Sequence, residues 1–236
     1  EALAKARGEL GFLVHPATTN EEGDLLARLA HGLGSAHIDH RLRQTDFADQ
    51  AHAQAFSLPV AEVDKVKAAL LVGSDLRYEM PLLNHRVHQA VKKGAKVYAV
   101  NPARFNFNYA LAGEAIVAPQ AMVDALLALA KAAVQGGATA PAALASAIDT
   151  VQADDGDRGA IDALKAGKAV VILGEAAATH PQASWLRAVA RFIAQATGAS
   201  YNEVPVGANA LGLARVGVLP GNGGLDAQAM LKQPRK

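Results

Sequence analysis

Hydrophobic positions along this chain fall into two patterns: short unbroken apolar runs, and longer stretches in which apolar residues return every three or four positions. Ala68 to Val72 is a run of the first kind and ends at Gly73, where the missing Cβ permits a sharp turn or the close approach of another group. Pro81 suits the first turn of a helix, and Leu83, Val87, Ala90 and Val91 then repeat at helical spacing while His85, His88 and Lys92 fall on the opposite side. Lys92 and Lys93 offset the negative end of the helix dipole, Gly94 is a ready cap, and Lys96 to Val100 is the next strand. Two strands joined by one crossover helix run parallel, so this unit predicts an α/β domain with a doubly wound parallel sheet.

The same punctuation returns about a hundred residues later, with Gly174 ending an apolar run, Pro181 opening a helix and Gly198 closing it. The repeat predicts that strands near 68–72, 96–100, 115–118 and 169–173 share one parallel sheet. An Ala/Leu-rich helix is expected from about Gln120 to Val134, followed through residue 159 by a loose connection of weak helical content. Trp185, Leu186, Val189, Phe192, Ile193 and Ala196 form a helical stripe that predicts Trp185 in the core, with Arg187 and Arg191 on a solvated face or at an interface. Near the start, Thr19 with Glu22 reads as a capping box, and Leu25, Leu26, Leu29 and Leu33 as the buried stripe of its helix. The following HIDHRLRQTDF has no strong periodicity and reads as a polar loop.

Composition narrows the classes of function. The 236 residues are 51% hydrophobic and 19% charged, which is ample for a real core. A net charge of +1 gives no electrostatic case for nucleic acid or for an anionic membrane surface. Asp124 and Lys131 interrupt the most Leu-rich segment, so no run approaches the roughly 18 apolar residues of a membrane span; direct membrane insertion is not expected. The absence of cysteine rules out disulfides, a thiol nucleophile and thiolate-bound iron–sulfur clusters within these residues. The chain starts at Glu1 without Met and stops at LKQPRK, which reads as an internal fragment of a cytoplasmic protein.

Candidate chemistry is sparse. His85 with His88, and His37 with His40, lack the nearby Glu or further His of a zinc pattern, and His85 and His88 lie on the polar face of an ordinary helix, so a metal site is not expected. Ser74 follows Gly73 without the surroundings of a nucleophile elbow. Neither a P-loop nor a G-x-G-x-x-G fingerprint is present, yet Gly73 and Gly174 both end strands where a doubly wound sheet takes ligands. Asp75, Glu79 and Glu175 crowd that place with carboxylates, where a phosphate would approach helix N-termini.

Three stretches carry a family likeness: TTNEEGDLLARLAHGLGSAHIDHRLRQTDF, LLVGSDLRYEMPLLNHRVHQAVKKGAKVYAVNPARF, and PVGANALGLARVGVLPG with Gly207, Asn209, Gly212, Gly217 and Pro220. Together they resemble the molybdopterin oxidoreductase superfamily, and within it the large G subunits of bacterial NADH:quinone oxidoreductase, respiratory complex I. The resemblance implies a Rossmann-like domain over 46–199, with 1–45 and 200–236 as parts of a truncated second α/β lobe. It also implies that the iron–sulfur clusters lie upstream of Glu1, that the partners are other subunits of the peripheral arm, and that the whole sits on the cytoplasmic face of the inner membrane.

Departures from the family pattern bear on the cofactor. The position that binds molybdenum in active relatives is matched by Thr45, which is not a usual ligand. Where holders of the pterin dinucleotide commonly show Asn, His and Asp, this chain has Asp75, Met80 and Asn101. The resemblance therefore implies no catalytic residue, no resident metal or cofactor, and at most a vestigial pocket built from Gly73, Asp75, Asn101, Arg104, Gly174, Asn209 and Gly212. The expected role is a non-catalytic scaffold supporting the cluster-bearing region, with NADH:quinone oxidoreductase activity belonging to the whole complex. Two alternatives stand beside it: a cofactor-binding domain of a molybdopterin oxidoreductase, and an independent nucleotide-binding domain, which would need a glycine-rich loop.

Overall fold

The computed structural model describes residues 2–232. In chain order the first elements are α1 (Ala2–Ala6), β1 (Gly11–Leu13), α2 (Asn20–Gly32), β2 (His37–Asp39), β3 (Ala68–Val72), α3 (Leu76–Glu79), α4 (Pro81–Lys92), β4 (Lys96–Asn101) and β5 (Gly113–Ile116). They continue with α5 (Met122–Gln135), α6 (Ala142–Asp149), α7 (Asp155–Lys165), β6 (Ala169–Leu173), α8 (Glu175–Ala178), α9 (Ala183–Thr197), β7 (Ser200–Glu203), α10 (Ala210–Arg215) and α11 (Ala227–Lys232). The chain separates into two compact units, one built from residues up to Gln54 with those from Pro205 onward, the other from Ala55 to Val204.

The Ala55–Val204 unit is a five-stranded, wholly parallel sheet in the order β5-β4-β3-β6-β7. All five residues of β3 and all five of β6 are buried, because helices cover both faces of the sheet and leave no polar side to the alternation. Ala68, Leu70 and Val72 join α5, α6, α7 and α9 in one core, whereas Ala69 and Leu71 face α4 and the 3-10 turn Val60–Lys65 in another. Full burial of a leucine such as Leu70 or Leu71 contributes about 1.5–3 kcal/mol, so this strand pair anchors both layers. The chain runs from β3 outward through β4 to β5 and then returns to lay β6 against the other side of β3. The order therefore reverses between β3 and β6, which is where folds of this class open a crevice at the strand C-termini.

The four strands expected in one parallel sheet are all there, with β5 starting two residues earlier than expected. A fifth joins them: Ser200–Glu203, grouped by the sequence with the second lobe, pairs with β6 from Val170↔Ser200 to Leu173↔Glu203. Its SYNE sequence carries no apolar alternation, and backbone pairing together with Asn202 holds it. Asn202 Oδ1 accepts from Leu58 N at 3.1 Å, and its Nδ2 donates to Leu58 O at 2.9 Å. The division between units thus falls at 54/55 and 204/205 rather than at 45/46 and 199/200. The stretch expected to be a loose connection instead holds α6 and α7. Asp154 caps α7, accepting from Asp157 N at 2.9 Å while Asp157 accepts from Asp154 N at 3.0 Å, a capping box with Asp in the place of the usual Glu.

Side-chain placement on α9 also differs from expectation. Trp185 is 39% exposed and Arg187 is 1% exposed, the reverse of the predicted arrangement. Arg187 reaches Glu203 at the end of β7 at 3.5 Å, so a strand absent from the sequence reading supplies its counter-charge. Arg191 lies over the ring of Tyr201 at 5.1 Å.

In the other unit β1 and β2 pair in parallel, Gly11↔His37 to Leu13↔Asp39, so the polar stretch begins as a strand. The capping box of α2 is present: Thr19 Oγ1 accepts from Glu22 N, and Glu22 Oε2 accepts from Thr19 N, each at 3.2 Å. The buried face of α2 is rotated from the leucine stripe. Gly23 and Ala30 are buried while Leu25 is 61% and Leu29 44% exposed, because Gly23 lets Leu213, Val216 and Val218 approach the helix backbone. Among the described residues no helix is long and apolar enough to cross a membrane.

Candidate functional site

The carboxyl ends of β3 and β6 are tied before their loops begin. Gly73 N donates to Val100 O at 2.8 Å, and Gly174 N to Val72 O at 2.9 Å. Gly73 then turns with φ +55, a region that costs a side-chain-bearing residue about 1–2 kcal/mol. A Cβ there would stand 2.5 Å from Ala177 N, and one on Gly174 would overlap Ser74. Two glycines thus allow the loop after β3 and the loop after β6 to close directly on each other, where the fold ordinarily leaves room for a ligand.

Glu79 lies in this closure. Its Oε2 accepts from the Ser74 hydroxyl at 3.0 Å and its Oε1 from Asp75 N at 2.8 Å, with a further hydrogen bond from the backbone of Glu175. Gly73 O accepts from Ala176 N at 3.0 Å and Ala177 N at 3.4 Å. The first amides of α8 therefore all have partners within the chain. Burial pushes the Glu79 carboxyl group above its ordinary pKa, against the opposing effect of these hydrogen bonds.

Asp75 and Asn101 border the same place. Asn101 is fully buried at the end of β4, and its Oδ1 accepts from Ser74 N at 2.9 Å. Its Nδ2 has no hydrogen-bond partner among the described residues, nor have Asp75 Oδ1, Asn84 Oδ1 and the Tyr109 hydroxyl. Burial raises the pKa of Asp75, and burial reinforced by the charge of Asp75 raises that of Tyr109. Neither Asn84 nor Tyr109 was marked by the sequence. Asn84 sits on the buried face of α4 at a position that reads as helix interior, and Tyr109 lies in a loop without periodicity.

The remaining candidates are elsewhere. Arg104 is a surface residue 3.8 Å from Glu114, and Arg77 donates to Asn106 O at 3.3 Å. Asn209 and Gly212 belong to the first unit, where Asn209 Nδ2 donates to Thr18 O at 2.7 Å and to Asn20 Oδ1 at 2.9 Å. A Cβ on Gly212 would fall on the oxygens of Asn20 and Asn209, so both residues serve to seat α10 on the loop before α2. Of the seven predicted pocket residues, Gly73, Asp75, Asn101 and Gly174 come together.

The density of charge around HIDHRLRQ has a structural use. Arg41 Nε and NH2 donate to Asp39 at 2.9 Å, Arg41 NH1 donates to Ala51 O at 3.0 Å, and Asp39 Oδ2 also accepts from Ala227 N at 3.1 Å. His37 Nδ1 accepts from Leu225 N at 2.9 Å, and His40 Nδ1 lies 2.7 Å from Val218 O. Thr45 O accepts from Gln228 Nε2 at 3.2 Å. Among the described residues no group of three or more His, Cys, Asp or Glu is placed to hold a metal ion. A separate groove of about 380 Å³, with Val100 and Leu129 at its floor and Glu114 and Asp157 at its rim, lies away from the strand ends beside β5.

Comparison with known proteins places these features. The profile of the family described as "Molybdopterin oxidoreductase" matches residues 1–235. The F420-dependent formate dehydrogenase subunit alpha of Methanocaldococcus jannaschii is 27% identical over 111 residues, 44% of this chain and 16% of that subunit. A chain of the formyltransferase/hydrolase complex from Methylorubrum extorquens, solved by crystallography with methylofuran, superposes with a TM-score of 0.50 at 14% identity. That superposition covers 91% of this chain and 60% of the other, and at such identity it concerns the fold alone.

Proposed function

This chain belongs to the molybdopterin oxidoreductase family, and from that premise we propose that it is a non-catalytic scaffold region of an electron-transfer subunit of the G-subunit kind found in NADH:quinone oxidoreductase. The observation that carries this reading is the Glu79 carboxyl group inside the crevice between β3 and β6. A pterin dinucleotide would bring its pyrophosphate to such a crevice, and these residues do not fit one. Helix-dipole attraction for an anion is about 0.3–1 kcal/mol. A carboxylate within about 4 Å opposes it by roughly 4 kcal/mol at an effective dielectric near 20, before screening. The space left by the loop glycines is already taken by Ser74 and Ala177.

In this reading the unit's work is mechanical. A fully buried β3–β6 pair and closed loops give a rigid body that supports a neighbouring cluster-bearing region, with the clusters held by cysteines outside this sequence. Partners would be other subunits of the peripheral arm. The whole protein's activity, NADH oxidation coupled to quinone reduction, belongs to that assembly.

The second reading is a cofactor-binding domain of a molybdopterin oxidoreductase. The formate dehydrogenase likeness favours it over the scaffold reading at the level of sequence, and the unpartnered Asn101 Nδ2 offers a donor at the right end of β4. One experiment separates the two. Calorimetric titration of the chain with a pterin guanine dinucleotide is expected to give no binding tighter than about 100 μM, roughly 5.5 kcal/mol. Tighter binding, weakened by Asn101→Ala, would replace the scaffold reading with the cofactor-binding one.

A further inference from the structure

We infer that Glu79 stands in for a ligand anion, its carboxyl group joining the loop after β3 to the loop after β6 so that the crevice is shut from within. The inference rests on the scaffold reading and names the residue that enforces it. It begins with local sequence. Asp75 opens the single turn α3, and Glu79 is its last residue, four positions on, which brings residue 79 back over the amide of residue 75. Pro81 then keeps Met80 out of the helical region, at φ −144 and ψ 80, so the chain breaks before α4 begins. The break keeps Glu79 off a continuous helix surface and leaves its side chain turned toward the strand ends.

The groups gathered by Glu79 are those a bound anion would use. The Asp75 amide and the Ser74 hydroxyl come from the first loop, and the Glu175 backbone comes from the second. Gly73 O takes the next two amides of the second loop. The first loop therefore satisfies the leading amide donors of the second, and a Cβ on Gly174 would lie 2.6 Å from Glu79 Oε2. Asp75 is the contrasting case, since its Oδ1 makes no hydrogen bond among the described residues. The partial burial that raises the Glu79 pKa agrees with oxygens turned from water.

Hydrogen exchange of the full chain, read by mass spectrometry over 74–79 and 174–178, tests this directly. Glu79→Ala is expected to speed exchange in both segments by about tenfold or more, whereas Glu79→Gln, which keeps an accepting oxygen, stays much closer to the parent. Glu79→Asp, one methylene shorter, is expected to release 174–178 and serves if the Ala variant does not fold. Faster exchange confined to 74–79 in both the Ala and Asp variants would overturn the bridge while leaving the scaffold reading intact. Inorganic pyrophosphate added to the parent chain is expected to slow exchange in neither segment; slowing at 174–178 would show an open crevice and sink both.

Discussion

Asp39 and Arg41, two residues apart in sequence, form an ion pair 2.9 Å long whose side chains are 0% and 6% exposed. Arg41 is further held by Ala51 O and lies over the Phe47 ring at 4.9 Å, while Asp39 also receives Ala227 N. The pair gathers three stretches of its unit around β2. Removing one partner leaves the other charged and dry, which typically costs about 3–5 kcal/mol. Arg41→Ala should lose that much in urea unfolding of this unit. A loss below about 1 kcal/mol would mean that water reaches Asp39.

Glu79 should give stability a pH dependence of definite sign. Its folded pKa lies above the ordinary value of 4.5, chiefly through burial, so folding favours its protonated form. The contribution is complete below the unfolded pKa and is lost as pH rises through the raised folded value. Melting curves from pH 4 upward should show this decline in the parent chain and a flatter profile in Glu79→Gln. Parallel profiles would assign the slope to other groups, among them Asp75, whose pKa is shifted the same way.

Closure of the crevice sets a steric requirement at Gly174. Gly174→Ala is expected to destabilise by about 1–3 kcal/mol through overpacking against Ser74 and Glu79. Gly159, inside α7 with nothing near its added Cβ, is the matched control. Gly159→Ala should be neutral or stabilising by up to about 1 kcal/mol. Equal melting temperatures for the two variants would show that the loops separate easily.

The cap of α7 is a further check on a helix that periodicity did not reveal. Asp154→Ala removes the acceptor for Asp157 N and should lower stability by about 1 kcal/mol. Chemical denaturation measures it, and Asp154→Asn should recover most of the loss. An alanine variant as stable as the parent would mean that burial of Ala160, Ile161 and Leu164 alone holds the helix.

The sequence by itself determined the doubly wound sheet, because unbroken apolar runs ending in glycine and followed by a proline-led helix admit few other arrangements. Both β3 and β6, α4 and its caps, and the α2 capping box were legible in that way, since each is a local signal satisfied within one turn or one strand. The family likeness too was carried by contiguous stretches. What only tertiary structure decided were features made by pairing distant segments. Strand β7 has no apolar alternation of its own and exists through β6; Arg187 is buried because that strand ends in Glu203. The exposed Leu25 and Leu29 follow from α10 choosing the glycine side of α2. At the crevice, the sequence placed three carboxylates near two glycines and led to the expectation that repulsion opposes a phosphate there. The fold turned one of them, Glu79, into the group that fills the space, because a one-turn helix broken by Pro81 points it inward and two opposed loops supply its hydrogen bonds.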